Sequence, residues 1–92
     1  MFDDKLLNHK NLVKHHELFD GVQYFYRVND YTSYSVIRHS CSYGGNKGFY
    51  EVAPIALYEN EFDIKGEPIG WLTVDEVLEM LEGKRYGIQS RR

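Results

Sequence analysis

Two short constellations in this chain carry side chains of the kinds used in chemistry. One is Ser42-Tyr43-Gly44-Gly45-Asn46-Lys47-Gly48, a glycine-rich stretch ending beside a cation. Phosphate-binding loops of that composition lie between a strand and a helix whose N-terminus supplies the field. This stretch lies between two strand-like segments and has neither the G-x-G-x-x-G nor the GK[ST] spacing. A hairpin loop fits better, and an exposed loop on a rigid scaffold is a common place for recognition. The second constellation is His39 and Cys41, two residues apart and therefore on one face of a regular strand. A Cys–His nucleophile also needs an orienting group and an oxyanion site, which nothing in the sequence identifies. A lone Cys is more often a small buried hydrophobe, so no catalytic residue is assigned. His9, His15, His16, His39 and Cys41 show none of the zinc-ligand spacings. No metal or cofactor is expected.

The bulk properties restrict the function further. Ninety-two residues make one domain, 1–92, with a small core. With a single cysteine, no intramolecular disulfide forms, which suits a reducing compartment. The N-terminus MFDDKLLNHK carries acids where a signal peptide has basic residues, and no stretch approaches the ~18 apolar residues of a membrane span. The expectation is a soluble, cytoplasmic protein without membrane contact. Net charge is −3, but Glu59 to Glu82 holds eight acids against Lys65 alone. That run argues against a nucleic-acid surface, which needs positive charge to neutralise phosphates. It reads either as the solvent face of a helix or as a mimic of a nucleic-acid backbone. Lys84, Arg85, Arg91 and Arg92 make residues 84–92 a basic, frayed tail.

The elements that must position these residues follow from periodicity. Seven of the eight tyrosines fall between Tyr24 and Tyr58, which favours sheet there. Residues 22–28, 33–41 and 49–58 alternate as strands, and Phe62-Asp63-Ile64 reads as a short fourth. Pro54 donates no amide hydrogen and so marks an edge position or a bulge. Leu6, Leu7, Leu12 and Val13 give a thin amphipathic stripe, predicting a short N-terminal helix over about 4–16 within a helical segment 1–20. Phe19-Asp20-Gly21 follows as a turn, and residues 65–70 read as loop. Thr73 with Glu76 forms a capping box, Leu72 and Val77 a hydrophobic staple, and Val74, Val77, Leu78 and Leu81 an apolar stripe. These predict a helix over about 74–82 closed by Gly83. The fold class is therefore α+β, a small antiparallel sheet of three to four strands packed by a C-terminal helix. Aromatics occupy both faces of the sheet, and one helix covers only one. The other face is expected to meet the N-terminal helix, a second copy in a homo-oligomer, or a partner.

Tyr34-Ser35-Val36-Ile37-Arg38-His39, Ser42-Tyr43-Gly44-Gly45, Gly48-Phe49-Tyr50-Glu51-Val52-Ala53 and Gly70-Trp71-Leu72-Thr73-Val74-Asp75-Glu76-Val77 occur in this order. In these residues the chain resembles a family of small bacteriophage and prophage accessory proteins of unknown function. Their pattern is a strand, a Ser-Tyr-Gly-Gly loop, a second strand and a Gly-Trp-Leu-Thr-x-x-x-Val helix start. The chain departs from it at Thr32 to Ser35 and in its His-rich N-terminus. The resemblance implies a setting, a phage accessory protein that binds or inhibits a host protein, and carries over no catalytic residue. The expected function is non-enzymatic binding of a host or phage protein. Small-ligand or nucleotide binding by an oligomer is the alternative. The candidate contact residues are Arg38, His39, Tyr43, Gly44, Gly45, Lys47 and Tyr50.

Overall fold

In a computed structural model that describes residues 1–84, the chain runs α1 (Asp4–Leu7), β1 (Leu12–Leu18), β2 (Gly21–Asn29), β3 (Thr32–Arg38), a 3₁₀ turn (Gly45–Lys47), β4 (Tyr50–Leu57), β5 (Phe62–Ile64), β6 (Ile69–Leu72) and α2 (Val74–Leu81). Beyond Lys84, the basic tail expected at 84–92 lies outside the described residues. All strands pair antiparallel in one sheet ordered β1-β2-β3-β4-β5, with β6 also on β4. The α+β expectation holds, with six strands instead of three or four.

Strand parity builds the core. Val22, Tyr24 and Tyr26 of β2, Val36 of β3, Tyr50 and Val52 of β4 and Leu72 of β6 share one face. That face packs under Leu6 of α1 and Val77, Met80 and Leu81 of α2. Three of its side chains are tyrosines, so their hydroxyls need partners. Tyr26 donates to the Leu6 carbonyl at 2.6 Å, and Tyr24 accepts the Asp3 N–H at 2.8 Å. The Tyr24 and Tyr50 rings lie 6.3 Å apart, centroid to centroid. Burial pushes all three phenols above the ordinary tyrosine value. The tyrosines thus hold α1 as well as filling space.

The opposite face is partly closed within the chain. Phe25 is 1% exposed and clusters with Ile55 and Leu57. Its ring lies 5.1 Å from that of Phe62 on β5, three strand spacings away, roughly 14 Å in a flat sheet. The Lys14 ammonium lies 5.1 Å over the Phe25 ring, and a buried Gln23–Ser35 hydrogen bond of 3.0 Å completes the face. Of the coverings expected for this face, the N-terminal helix is corrected, since α1 packs on the core face; at the β5 edge Phe62 and Ile64 remain 36% and 57% exposed.

Two further expectations are corrected. The N-terminal helix over 4–16 is one turn, Asp4–Leu7, and residues 12–18 are the edge strand β1. Lys14 and His16 pair with Phe25 and Gln23, while His15 and Glu17 pair with Tyr24 and Val22, a two-residue period. Residues 69–72, partly assigned to a loop, form β6 along the edge of β4. Pro54 sits where β4's outer edge changes partner, between the segments paired to β6 and β5. Its carbonyl accepts from Lys65 on that side, so its missing N–H disrupts no ladder.

Helix α2 forms as its local signals demand. Thr73 accepts from the Glu76 N–H at 3.2 Å and Glu76 Oε1 accepts from the Thr73 N–H at 2.9 Å. Gly83, at φ 74°, closes a Schellman motif through Gly83 N–H to Met80 O and Lys84 N–H to Glu79 O. The exposed edges are blunt: β5 has three residues, and β1 carries Lys14 and a bulge between Leu12 and Lys14. Among the described residues, no helix is long and apolar enough to cross a membrane.

Candidate functional site

Strand β3 ends at Arg38, and the chain then folds into a tight series of turns before β4. Ser42 organises it. Its hydroxyl accepts the His39 N–H at 2.9 Å and donates to the His39 carbonyl at 2.9 Å, while its own N–H reaches that carbonyl at 3.1 Å. Gly45, Lys47, Gly48 and Phe49 donate backbone bonds of 3.0 Å to carbonyls of Ser42, Gly44, Gly45 and Gly44. Tyr43 N–H reaches the Glu51 carboxylate at 2.8 Å, and Trp71 N–H of β6 reaches the Tyr43 carbonyl at 3.2 Å. Residues 42–49 therefore form a braced loop with most of its amides occupied.

The two central glycines serve packing. Gly44 is buried at φ 84°, and a Cβ there would meet Phe49 Cβ at 2.9 Å and Trp71 Cα at 3.1 Å. A Cβ on Gly45 would collide with the His39 carbonyl oxygen. Neither glycine leaves amide donors in a row for a phosphate.

The structure separates the seven predicted contact residues. Tyr50 is 1% exposed and belongs to the core, so it is no surface contact. The Arg38 guanidinium lies 5.2 Å over the Tyr50 ring and donates to the Met1 carbonyl at 3.2 Å. Arg38, His39 and Gly45 line a shallow hollow of about 200 Å³ with Asp20 and Met1. Tyr43, Gly44 and Lys47 lie on the loop's other side, in a cleft of about 310 Å³ completed by Trp71. Tyr43 is 57% exposed, and Lys47 has no ion-pair partner among the described residues. The Trp71 indole Nε1 is buried without an acceptor among them.

His39 and Cys41 do not share a strand face. The strand stops short of them, and the Cys41 N–H donates to His39 Nδ1 at 3.1 Å. Cys41 is exposed, contrary to the buried small hydrophobe expected. Among the described residues, no cluster of three or more His, Cys, Asp or Glu side chains could hold a metal ion.

Two residues that sequence reasoning passed over flank the loop. Trp71, on one side, has φ 61°. Phe19, on the other, has φ 54°, is 84% exposed and meets His39 edge-on at 5.2 Å. Next to Phe19, the Asp20 carboxylate accepts the Ser40 N–H at 3.0 Å, and that bond holds its pKa below the usual value. No protein-family model, no curated protein and no solved structure matches this chain.

Proposed function

We propose that this chain is a non-enzymatic binding protein of phage or prophage origin, which engages a host or phage protein through the loop end of its sheet. One observation carries the reading: Tyr43 stands 57% exposed on a loop whose backbone is held on both sides. A large side chain with few rotatable bonds on a braced support loses little entropy when it binds. Lys47 adds a charge without an internal partner among the described residues, which suits partner selection at an interface rim.

The test is affinity capture from bacterial host lysate with the wild-type chain and a Tyr43→Ala variant. The expected outcome is a protein retained by wild type and lost by the variant, at an unchanged melting temperature. Equal retention by both, or capture of nothing, counts against the reading.

A second reading, binding of a small anionic ligand such as a nucleotide, draws on the cleft beside Lys47 and the acceptor-less Trp71 indole. A rise in melting temperature with added nucleotide, absent in Lys47→Ala, favours it over the first.

A further inference from the structure

Strand β5 ends the sheet, with no strand on its outer side among the described residues. Its register with β4 fixes which way each peptide group points. Tyr58 N–H donates to the Glu61 carbonyl and Lys65 N–H to the Pro54 carbonyl, both at 2.8 Å. Ala56 pairs with Asp63 between them. In an antiparallel ladder such hydrogen-bonded pairs alternate with pairs whose main-chain groups face outward. Glu61, Asp63 and Lys65 therefore turn their main chain to β4, while the N–H and C=O groups of Phe62 and Ile64 point away from the sheet. The side chains sort by the same alternation. Phe62 and Ile64 lie on the face of Leu57 and Ile55, where Phe62 meets Phe25, and stay 36% and 57% exposed. Glu61, Asp63 and Lys65 lie on the other face.

The other edges are guarded. β1 carries Lys14 and a bulge, and β6 has the Tyr43 carbonyl on its Trp71 N–H. β5 has neither device, and it lies at the end of β4 remote from the Tyr43 loop. Three residues make a weak template alone, so side chains must select what pairs there. From residue 59 to residue 67 the chain carries Glu59, Glu61, Asp63 and Glu67 against Lys65. None of them forms a salt bridge among the described residues. That charge disfavours a second copy as the occupant. Setting Phe62 opposite Ile64 of a copy puts Asp63 opposite Asp63, and like charges directly opposite destabilise a sheet. The same charge favours a strand that brings cations.

We infer that the β5 edge is a docking site for an extended segment of another protein, one in which apolar residues alternate with Lys or Arg. The segment adds to the sheet as a further strand. Its main chain bonds to Phe62 and Ile64, its apolar side chains extend the patch those two residues make, and its cations lie beside Glu61 and Asp63. The site is separate from the Tyr43 loop and does not rest on the binding reading above.

The test uses the full chain and a blocked synthetic peptide alternating lysine and valine, K-V-K-V-K-V-K. A glutamate–valine peptide of equal length is the control. Calorimetry follows binding, and amide hydrogen exchange reads where the peptide lies. The lysine peptide alone is expected to bind, slowing exchange at Phe62 and Ile64, whose N–H groups face outward in the free chain. Ile64→Pro removes one outward donor and no bond to β4, so it is expected to melt like wild type and to bind about 10-fold or more weakly. Glu61→Lys combined with Asp63→Lys is expected to exchange the preference, losing the lysine peptide and taking up the glutamate one. That double variant keeps the test decisive should Ile64→Pro unfold. Binding that leaves the Phe62 and Ile64 amides unprotected, unchanged binding by Ile64→Pro, or no binding at millimolar peptide overturns the inference. So does protection of these amides that needs no peptide and grows with protein concentration, which assigns the edge to a second copy. Tighter peptide binding after Arg85, Arg91 and Arg92 are each changed to Glu assigns it to the chain's own tail, with the same consequence.

Discussion

The brace around Ser42 gives the sharpest prediction, because one hydroxyl holds the loop's entry. In Ser42→Ala, the His39 N–H loses its acceptor at 2.9 Å and the His39 carbonyl loses one of two donors. The carbonyl keeps the Ser42 N–H, so the larger cost falls on the stranded amide. A buried donor left unpaired costs about 1–3 kcal/mol, and a net hydrogen bond about 1 kcal/mol. Ser42 is 8% exposed but His39 is half-buried, so water recovers part of this, leaving roughly 1–2 kcal/mol. For a domain of this size that lowers the melting temperature by roughly 4–15 °C. Thermal denaturation reads the total. Amide hydrogen exchange locates it, with protection falling at Gly45, Lys47, Gly48 and Phe49 while the amides of β2 keep theirs. If bracing is what makes Tyr43 an effective contact, the variant also captures less partner although no exposed group has changed. A melting temperature within about 2 °C of wild type, with loop exchange unaltered, would refute the reasoning.

Two further outcomes test how the core is held. Tyr26→Phe removes the 2.6 Å donor to the Leu6 carbonyl at the end of a four-residue helix and is expected to cost about 1–3 kcal/mol. Chemical denaturation reads the cost, and faster exchange at Leu7 and Asn8 shows that α1 has loosened. Tyr24, Tyr26 and Tyr50 have folded pKa values raised above 10 by burial. Their contribution to stability is therefore complete below pH 10 and is lost as pH rises from there through the folded values. Stability should then fall by up to about 1.4 kcal/mol per pH unit for each phenol that ionises only on unfolding. Phenolate absorbance from these three should rise together with loss of tertiary circular dichroism. Ionisation of all three without unfolding would refute the burial account.

What could be read in the sequence depended on how local its cause was. Helix α2 was legible because Thr73, Glu76, Leu72, Val77 and Gly83 act within a few residues of one another. Strand β1 was not. Leu12 to Leu18 supports a thin helical stripe and a strand about equally, and the decision comes from β2, which holds it by pairing. The Asp20-Gly21 dipeptide marked a turn, but the turn is centred one residue earlier, on Phe19 and Asp20. Gly21 is required by something remote: a Cβ there would collide with the Arg38 carbonyl across the sheet. Strand β6 lacks local strand signals, since it contains Gly70 and the positive-φ Trp71, and it exists because β4 offers an edge. Tyr50 is a different kind of miss. It shares a face with Val52, so strand parity already placed it inside, and closeness to the loop suggested a contact role that parity denies.

Exposure alone does not single out the loop end of the molecule. Tyr31, in the β2–β3 turn, is 95% exposed, more than either Phe19 or Tyr43. Yet its backbone φ is not positive and its N–H is capped by the Asn29 side chain at 2.8 Å, so the turn is relaxed with a tyrosine in it. Tyr31 shares a hollow with Tyr58, 52% exposed, and with Arg27 and Lys65. The other end differs in kind. Of the five positive-φ residues among those described, Gly83 ends a helix, and the other four, Phe19, Gly44, Gly48 and Trp71, lie in or against the braced loop. Two of those four are aromatics in a conformation that favours glycine. Strain of this kind persists only where surrounding structure enforces it. Exposure combined with backbone strain therefore distinguishes the two ends: among the described residues, the aromatics at positive φ, Phe19 and Trp71, flank the loop.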